Sequence, residues 1–538
     1  MIRSVDQSKC IGCGTCQRIC PLDVFRLDVD QPTSSPCMAA CPIGINIREI
    51  NNLLQLGRIE DATSLMFDNN PLAAVTGRVC PQFCESDCTR NQVEAPVNIS
   101  AIEQYLGDYA LKENIDPPTR QHVAPVAVVG SGPAGLSCAF FLAVDGFQVT
   151  VYEAMDEPGG MLRYGIPEYR LPNEVLSSVI GRLTKLGVDI RCGQALEDRS
   201  AIDSLLDRGY GAVFLGLGAA KSKKNQVEGV DSDGVMYGLD FLKAVRGKQI
   251  SHIGSSVVVV GGGNVAMDAA QSSLRLGAES VTIVALEEDT CLPAFSHNID
   301  SAKADGVDLV CSSGVDNIVY DENASKTLKL QKCVSVFDNE GKFSPTFQED
   351  NTREICADTV ILAVGQEADC SYLPEEIVGS GGLITVDKNC YQTPMPKVFA
   401  AGDVVTGPAS VAEAVYGGKR AAQAINFFCR GMEMYGLPSR DLPVAEKLPE
   451  NKQLQKTIRY EKKLAEPARS TGFAELYKGF DLVKTLAEAD RCLVCGAKSV
   501  AEFLDDCMTC FTCELKCPAE AIFVHPYKEI LPRSLRST

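Results

Sequence analysis

Short apolar runs alternate with amphipathic stretches through the middle of the chain, from about residue 122 to residue 430. Residues 123 to 154, VAPVAVVGSGPAGLSCAFFLAVDGFQVTVYEA, give an apolar run, a glycine-rich turn, a helical pattern and a second apolar run. Residues 255 to 288, SSVVVVGGGNVAMDAAQSSLRLGAESVTIVALEE, repeat this order. Apolar runs bounded by glycine predict buried strands, and their alternation with helices predicts parallel sheets covered by helices. We therefore predict the α/β fold class.

Both turns carry the glycine spacing of a dinucleotide-binding, Rossmann-like domain. The first has Gly130, Gly132 and Gly135, and Glu153 ends the second apolar run. In such a turn the glycines allow a tight bend, close approach of a pyrophosphate and close helix packing, while the acid accepts from a ribose hydroxyl. The repeat has Gly261 and Gly263 with Ala266 as the third member, and its second run ends at Glu287. Two dinucleotide sites are therefore predicted, with purely structural turns as the alternative.

A second pattern precedes these domains: an amphipathic helical stretch flanked by cysteines. SPCMAACPIGINIREINNLLQLGRIEDATSLM begins at residue 35, and GRVCPQFCESDCTR begins at residue 77. Their thiols are Cys37, Cys41, Cys80, Cys84 and Cys88. Near the other end, EADRCLVC at residues 488 to 495 adds Cys492 and Cys495. Two thiolates complete neither a tetrahedral zinc site nor an iron–sulfur cubane, so this pair needs ligands from elsewhere, with a zinc knuckle as the alternative.

Each end of the chain also carries a cysteine run with the bacterial ferredoxin spacing. CIGCGTCQRICP has Cys10, Cys13, Cys16 and Cys20, and CMTCFTCELKCP has Cys507, Cys510, Cys513 and Cys517. The β-prone stretches VFRLDV and AIFVH follow the two runs. In two-cluster ferredoxins the fourth cysteine of each run ligates the other cluster. We predict one shared module in which Cys517 joins the first run and Cys20 joins the second; two self-contained sites are the alternative.

Composition supports metal rather than disulfides. Of 24 cysteines among 538 residues, 15 lie in the first 88 and last 47 positions. A disulfide framework is typical of small secreted proteins, and we predict neither a signal peptide nor a membrane span, hence a cytoplasmic protein. The net charge of −19 argues against nucleic-acid binding and suits either a basic redox partner or simple solubility.

Two further stretches give a family resemblance. GGMLRYGIPEYRLP at residues 159 to 172 and VFAAGDVVTGPASVAEAVYGGKRAA at residues 398 to 422 are similar to the glutamate synthase small subunit family. That family includes the flavin half of dihydropyrimidine dehydrogenase and the large subunit of the bifurcating ferredoxin:NADP reductase. The resemblance covers about residues 37 to 430 and implies FAD in the first dinucleotide domain and a nicotinamide nucleotide in the second. It implies FAD contacts at Gly130, Gly132, Ala134, Gly135, Glu153, Ala154, Gly160, Met161, Arg163, Gly402, Asp403 and Val411. It implies nicotinamide nucleotide contacts at Gly261, Gly262, Gly263, Asn264, Val265, Glu287 and Gly365.

One departure from the family pattern concerns the nucleotide. NADPH-using members have Tyr-Arg-Arg where this chain has Ala285, Leu286 and Glu287. A carboxylate there repels a 2′-phosphate and accepts from a free 2′-hydroxyl, so NAD(H) is favoured. NADP(H) stays open because Arg275 or Lys223 could approach from elsewhere.

The same resemblance implies two 4Fe–4S clusters in the helical domain, which brings the total to four. Its first ligand set would be Cys37, Cys88, Cys492 and Cys495. Its second would be Cys41, Cys80, Cys84 and Gln104, the glutamine standing at the spacing found in dihydropyrimidine dehydrogenase. From sequence alone, a helical glutamine is more often a surface residue, and that alternative stays open.

These predictions divide the chain as follows: a ferredoxin-like half (1–30), an α-helical iron–sulfur domain (31–118), an FAD domain in two parts (119–252 and 365–430) around an inserted NAD(P) domain (253–364), a linker strap (431–485) and a C-terminal segment with the second ferredoxin-like half (486–538).

The predicted function is that of an oxidoreductase subunit, within a hetero-oligomeric complex, that passes electrons between NAD(H), FAD, the clusters and a partner subunit or ferredoxin. No catalytic side chain is predicted, because the nicotinamide and flavin exchange the hydride themselves. The rivals are an NADPH-dependent glutamate synthase small subunit, a bifurcating transhydrogenase subunit and a passive electron-transfer scaffold.

Overall fold

The computed structural model describes most of the chain in two compact units. The described residues are 2, 4–5, 16, 19–21, 24–27, 34–115, 117–119, 123–224, 227–320, 326–434, 444, 456–464, 472–495, 499–501, 507–508, 510, 512–517 and 522–524. The first unit comprises Met1–Asn114, Leu437–Lys462 and Gly479–Thr538, and the second comprises Ile115–Gly436 and Lys463–Lys478. The stretch predicted as a linker strap therefore contributes to both units.

Helices make up most of the described first unit. They are Pro36–Ala40, Ile47–Gln55, Ile59–Phe67, Ala73–Val79, Phe83–Ser86, Thr89–Gln92 (a 3₁₀ helix), Ile99–Ala110, Leu482–Asp490 and Thr512–Lys516. Asn46, Asn98 and Asp481 begin three of them by accepting a backbone N–H with the side chain, as N-cap residues do. A Cβ at Gly107 would collide with the backbone of Ala74, so glycine is what lets two of these helices pack closely.

The two ends of the chain pair through short antiparallel strands in the first unit. Ser4–Val5 pairs with Ile522–Phe523, and Phe25–Leu27 pairs with Ser499–Ala501. A small core lies against these strands, composed of Ile2, Cys16, Val24, Phe25, Cys513, Ile522 and Val524. This pairing brings the two ends of the chain side by side, as the predicted shared module requires.

The second unit contains two parallel five-stranded sheets, which confirms the predicted fold class. The order in one is Val398–Ala400, Ala212–Leu215, Val126–Val129, Val149–Tyr152 and Asp189–Arg191. The order in the other is Asp308–Val310, Ser280–Val284, Ser256–Val260, Thr359–Leu362 and Val235–Tyr237. Their central strands, Val126–Val129 and Ser256–Val260, consist almost entirely of valine and alanine, as expected for strands covered on both faces.

Helices and smaller sheets complete the second unit. The helices are Pro133–Val144, Met161–Tyr164, Asn173–Lys185, Ala201–Asp207, Gly238–Arg246, Asn264–Arg275, Asp289–Cys291 (3₁₀), Ser296–Ala304, Glu375–Ile377 (3₁₀), Asp403–Thr406 and Val411–Cys429. An antiparallel sheet joins Ser313–Tyr320, Lys326–Phe337 and Phe343–Ala357. Two further pairs are Lys221–Ser222 with Gln366–Glu367, and Lys463–Leu464 with Tyr477–Lys478. Among the described helices of both units, none is long and apolar enough to cross a bilayer.

Candidate functional site

The first glycine turn links the strand Val126–Val129 to the helix Pro133–Val144. Gly130 has φ +96°, and a Cβ there would collide with the Gly216 carbonyl oxygen. A Cβ at Gly135 would collide with the Gly130 carbonyl oxygen. Gly132 differs, because no described atom lies within 4 Å of its Cβ position. Two glycines are therefore needed for packing, while the third leaves open space at a helix N-terminus, where a pyrophosphate would fit.

Glu153 is held over this turn by hydrogen bonds that the sequence did not reveal. Its carboxylate accepts from the backbone N–H of Ser131 and of Met155, both at 2.9 Å, and from the Ser131 hydroxyl. The Ser131 hydroxyl in turn accepts from the Gly159 N–H at 2.8 Å. Ser131 therefore connects the turn to the predicted ribose acceptor; it was missed because a serine between two glycines has no distinctive spacing of its own.

The GGML stretch also lies at the first turn. Gly160 has φ +52°, and a Cβ there would lie 2.9 Å from the Gly132 Cα. Met161 begins the next short helix. Arg163 points elsewhere: it donates to the Pro158 carbonyl at 2.7 Å and pairs with Glu157 at 3.0 Å. Gly160 thus borders the open space, whereas the Arg163 guanidinium is engaged locally.

The late Gly-Asp motif meets the same helix. Gly402 has φ +79°, and a Cβ there would lie 3.0 Å from the Ala134 Cβ. Asp403 follows it, and burial raises the pKa of its carboxyl to about 6. Val411 begins the helix Val411–Cys429, which a capping box at Ser410 starts. Residues almost 300 positions apart in sequence therefore border one cradle whose shape and helix N-terminus suit FAD.

The second turn has the same construction. Gly261 has φ +130°, and a Cβ there would collide with the Ala363 carbonyl oxygen, whereas no described atom lies within 4 Å of the Gly263 Cβ position. The Asn264 side chain accepts from the Phe295 N–H at 3.0 Å and from the Asn298 amide at 2.8 Å. This fixes the turn against the start of the helix Ser296–Ala304, which the sequence pattern did not connect with it.

The four other predicted nucleotide contacts have the following surroundings. A Cβ at Gly262 would lie 2.9 Å from a Glu287 carboxylate oxygen, so the acid reaches across the turn. Val265 packs against Gly238, with 3.0 Å between its Cγ1 and the Gly238 Cβ position. Gly365 has φ +117° and accepts from the Lys223 N–H at 3.1 Å.

Arg275, one of the two cations that could have served a 2′-phosphate, is buried and engaged. It pairs with Asp305 at 3.1 Å, and its guanidinium lies 4.0 Å from the centre of the Tyr169 ring. Beside it, Arg170 pairs with Asp268 at 2.7 Å. These contacts assign Arg275 to packing of the helix Asn264–Arg275 against Asp305 and the turn that holds Tyr169, rather than to the nucleotide cradle.

The first unit contains two groups of thiols, and the thiols within each group lie close together. Burial raises the pKa of Cys37, and the charges of Cys492, Cys88 and Cys495 raise it further. These four cysteines come from three separate stretches of sequence. They are the first ligand set implied by the resemblance.

The second group is more deeply buried than the first, since Cys41 and Cys84 are both buried. Burial raises the pKa of Cys84, and the nearby charges of Cys41 and Cys80 add to the effect. Buried thiolates that lie close together repel one another and lack water to stabilise their charge, so these thiols ionise with difficulty on their own. The iron cations of an iron–sulfur cluster would compensate the thiolate charges. By contrast, within the described residues no group of three or more His, Cys, Asp or Glu side chains is arranged to hold a single metal ion.

Gln104 lies inside the unit and not on its surface. It is 1% exposed, and a Cβ at Gly479 would lie 2.9 Å from its amide nitrogen. Its neighbour Glu103 accepts from Asn70 at 2.7 Å and from Thr76 at 2.6 Å, and burial raises the pKa of Glu103 to about 7. The Glu103 charge acts on Cys41 and Cys80, which places this helix beside the second thiol group.

A buried ion-pair network holds Cys492 and Cys495 in the unit. Arg491 is 2% exposed; it pairs with Glu488 and with Glu94, and donates to the Ala95 carbonyl at 2.7 Å. Glu488 also accepts from the Asn98 N–H at 2.8 Å. Glu488 and Arg491 therefore hold the EADRCLVC stretch against the N-terminal part of the unit.

The terminal cysteines meet where the strands of the two ends pair. Cys20 lines one pocket with Cys507, Cys510 and Cys513. Burial raises the pKa of Cys513 to about 12, and the charges of Cys507 and Cys510 contribute. Cys16 belongs to the adjoining apolar core and Cys517 packs against it, while Cys10 and Cys13 lie outside the described residues.

Comparison with known proteins identifies the family. Residues 124–418 match pyridine nucleotide-disulphide oxidoreductase, residues 30–115 match dihydropyrimidine dehydrogenase domain II with its 4Fe-4S cluster, and residues 3–26 match a 4Fe-4S binding domain. The chain belongs to the pyridine nucleotide-disulphide oxidoreductase family, and it carries 4Fe-4S domains in addition.

Relatives narrow the class further. The beta subunit of an NADP(+)-dependent formate dehydrogenase from Moorella thermoacetica is 33% identical over 86% of this chain and 70% of its own length. Subunit PreT of the NAD-dependent dihydropyrimidine dehydrogenase of Escherichia coli is 33% identical over 74% of this chain and 92% of its own length. The small chain of the glutamate synthase [NADPH] of Escherichia coli is 32% identical over 72% of this chain and 87% of its own length. The resemblance inferred from the motifs is confirmed, and the chain is an NAD(P)H-dependent iron–sulfur flavoprotein oxidoreductase.

Proposed function

We propose that this chain is the NAD(H)-linked subunit of a larger oxidoreductase and exchanges electrons with a partner subunit or ferredoxin through four 4Fe–4S clusters. The clusters are assigned to the two thiol groups of the helical domain and to the two terminal cysteine runs. The relatives that support the partner are themselves named as subunits or chains of larger enzymes.

Each cofactor has a distinct set of residues in this assignment. Gly130, Gly132 and Gly135 would hold the FAD pyrophosphate, with Glu153 at the ribose and Gly402–Asp403 closing the cradle. The chemistry that FAD supplies when bound is the exchange of a two-electron hydride for single electrons. The residues around it bind and orient; the cysteines and Gln104 receive the iron–sulfur clusters.

The observation that carries the preference for NAD(H) is the position of Glu287. Its carboxylate lies against Gly262, at the turn where the adenosine ribose would bind. Neither Ala285 nor Leu286 offers a cation, and Arg275 is paired with Asp305. Lys223, the other candidate cation, packs its side chain against Gly365 and stays the alternative that would favour NADP(H). At Glu287 itself, a 2′-phosphate would meet a negative charge, whereas a free 2′-hydroxyl would meet a hydrogen-bond acceptor.

The test is the anaerobic bleaching of the flavin absorbance by NADH and by NADPH in separate titrations. We expect NADH to reduce the protein at concentrations at least about tenfold lower, the ratio that 1.4 kcal/mol of differential binding gives. Leu286→Arg combined with Glu287→Arg should move the preference towards NADPH. Equal half-bleaching concentrations for the two nucleotides in the unaltered protein would refute the assignment. Glu288→Arg, one position further on, is the matched control.

A further inference from the structure

The helix Ile47–Gln55 turns a polar stripe towards the Cys492–Cys495 segment. Arg48, Asn52 and Gln55 are spaced i, i+4 and i+7, so they share one face. Gln55 donates to the carbonyls of Ala489 at 2.7 Å and Cys492 at 3.2 Å. Arg48 donates to the Cys495 carbonyl at 2.9 Å. The stripe thus grips the backbone on both sides of the C-x-x-C pair.

Arg48 brings a full positive charge into this dry region. The residue is 5% exposed, and an unbalanced buried charge is expensive unless a nearby negative group offsets it. Its hydrogen bond to the Cys495 carbonyl places this charge at the backbone of an assigned cluster ligand.

Asn52 supplies a second donor one helical turn further on. It is 4% exposed, and its amide nitrogen has no hydrogen-bond partner within the described part of the chain. A buried donor without a partner is rare in native structures, and this one calls for an acceptor that the described residues do not provide. Cluster and cysteinyl sulfurs are acceptors of this kind, and hydrogen bonds to them help set the reduction potential.

We propose that Arg48, assisted by Asn52, sets the reduction potential of the cluster ligated by Cys37, Cys88, Cys492 and Cys495, and raises it. The proposal rests on the ligand assignment made under the proposed function. Reduction adds one electron to the cluster, so the reduced site is more negative, and a fixed buried cation beside it stabilises that state more than the oxidised one. Arg48 and Asn52 act on the site through space and are not ligands.

The experiment is a potentiometric titration of the full-length protein, purified anaerobically with its clusters, and followed by electron paramagnetic resonance. Arg48→Gln should make one cluster harder to reduce by about tenfold in its reduced-to-oxidised ratio, which is about 59 mV for a one-electron couple. Arg48→Lys keeps the charge and should restore most of the shift. Arg58→Gln, which removes an exposed partner of Asp61 in the same unit, should leave every potential unchanged.

Two further variants test the proposal where Arg48→Gln loses iron, and test the ligand assignment separately. If Arg48→Gln loses iron, Asn52→Leu replaces it in the titration and should lower the potential of the same cluster by a smaller amount; an unchanged potential overturns the proposal. Cys495→Ala separates the levels of inference. If it removes no iron, the ligand assignment fails; if it removes about four irons but Arg48→Gln shifts no potential, only the role of Arg48 fails.

Discussion

The two units of this protein are built on opposite principles. In the second unit, each nucleotide cradle begins with a strand, a glycine turn and a helix that are continuous in sequence, such as residues 126 to 144. In the first unit, each cysteine group gathers residues from distant stretches, such as Cys37 with Cys492. Local backbone geometry forms the glycine turn of each cradle, whereas the Cys37 group and the terminal cysteine runs depend on contacts between the two ends of the chain.

The kind of interaction differs accordingly. Glycines whose Cβ positions would collide with backbone define the cradles. Buried ion pairs and side-chain donors to backbone carbonyls, such as Arg491 with Glu488 and Gln55 with Ala489, hold the cysteine-bearing segments. A local defect should therefore remove one cofactor from the second unit, while a defect at one end of the chain should affect clusters assigned to both ends of the first.

The largest expected effect comes from deleting residues 1 to 30. If Cys20 completes the site of Cys507, Cys510 and Cys513, and Cys517 completes the N-terminal one, both terminal clusters lose a ligand. Iron should fall from about sixteen to about eight per chain, measured by iron analysis of anaerobically purified protein.

Self-contained terminal sites make a different prediction for the same deletion. They would lose only about four irons and keep the C-terminal cluster signal in electron paramagnetic resonance. Cys20→Ala is the point-variant control, because in a shared module it removes a ligand from the C-terminal cluster and in self-contained sites from the N-terminal one.

Arg491→Ala should give the next largest effect. It leaves Glu488, whose side chain is fully buried, without its cation, and breaking such a pair destabilises by about 3–5 kcal/mol. We expect the loss of about four irons from the Cys37 group and an earlier thermal loss of cluster absorbance, while bound FAD stays near stoichiometric. Arg58→Ala, which breaks an exposed pair, should change stability by no more than about 1 kcal/mol. Loss of FAD together with iron would contradict the separation between units.

Two glycine substitutions test the second unit, where FAD binding should change while the iron of the first unit stays bound. Gly135→Ala should disrupt the turn, because its Cβ would collide with the Gly130 carbonyl oxygen. Gly132→Ala should fold normally, because no described atom lies near its new methyl group. It should nevertheless bind FAD more weakly than the unaltered protein, because that methyl group enters the open space at the helix N-terminus. FAD content, iron content and thermal stability measured together distinguish the two, and iron should stay unchanged in Gly132→Ala. Full FAD binding by Gly132→Ala would show that the pyrophosphate lies elsewhere.

How far the sequence could predict the molecule follows from this contrast. The glycine turns, Glu153 and Glu287 were recognisable because their spacing within one strand–helix unit is itself the signal. The role of Ser131 and the hydrogen bond between Asn264 and Phe295 were not recognisable, because single polar residues in turns carry no periodicity. The grouping of Cys37 with Cys492 could be inferred only from a family resemblance, and Arg48, Asn52 and Gln55 only from the structure, because such contacts span more than 400 residues of chain.

The smallest expected effect concerns how carboxyl groups respond to pH in the two units. In the first, burial raises the pKa of Glu94, but hydrogen bonds from Arg90 and Arg491 bring it down to about 2. In the second, burial dominates at Asp403 and raises its pKa from 3.8 to about 6.

The folded second unit therefore binds a proton at Asp403 that the unfolded chain releases between about pH 4 and pH 6. Stability from this group is fully present below pH 3.8 and is lost as the pH rises through about 6. In protein stripped of FAD, the urea midpoint should fall across this window by an amount equivalent to at most about 3 kcal/mol. Asp403→Asn keeps the shape of the side chain but cannot titrate, so its midpoint should vary less with pH. If the variant and the unaltered protein give parallel pH profiles, Asp403 is not the group that responds.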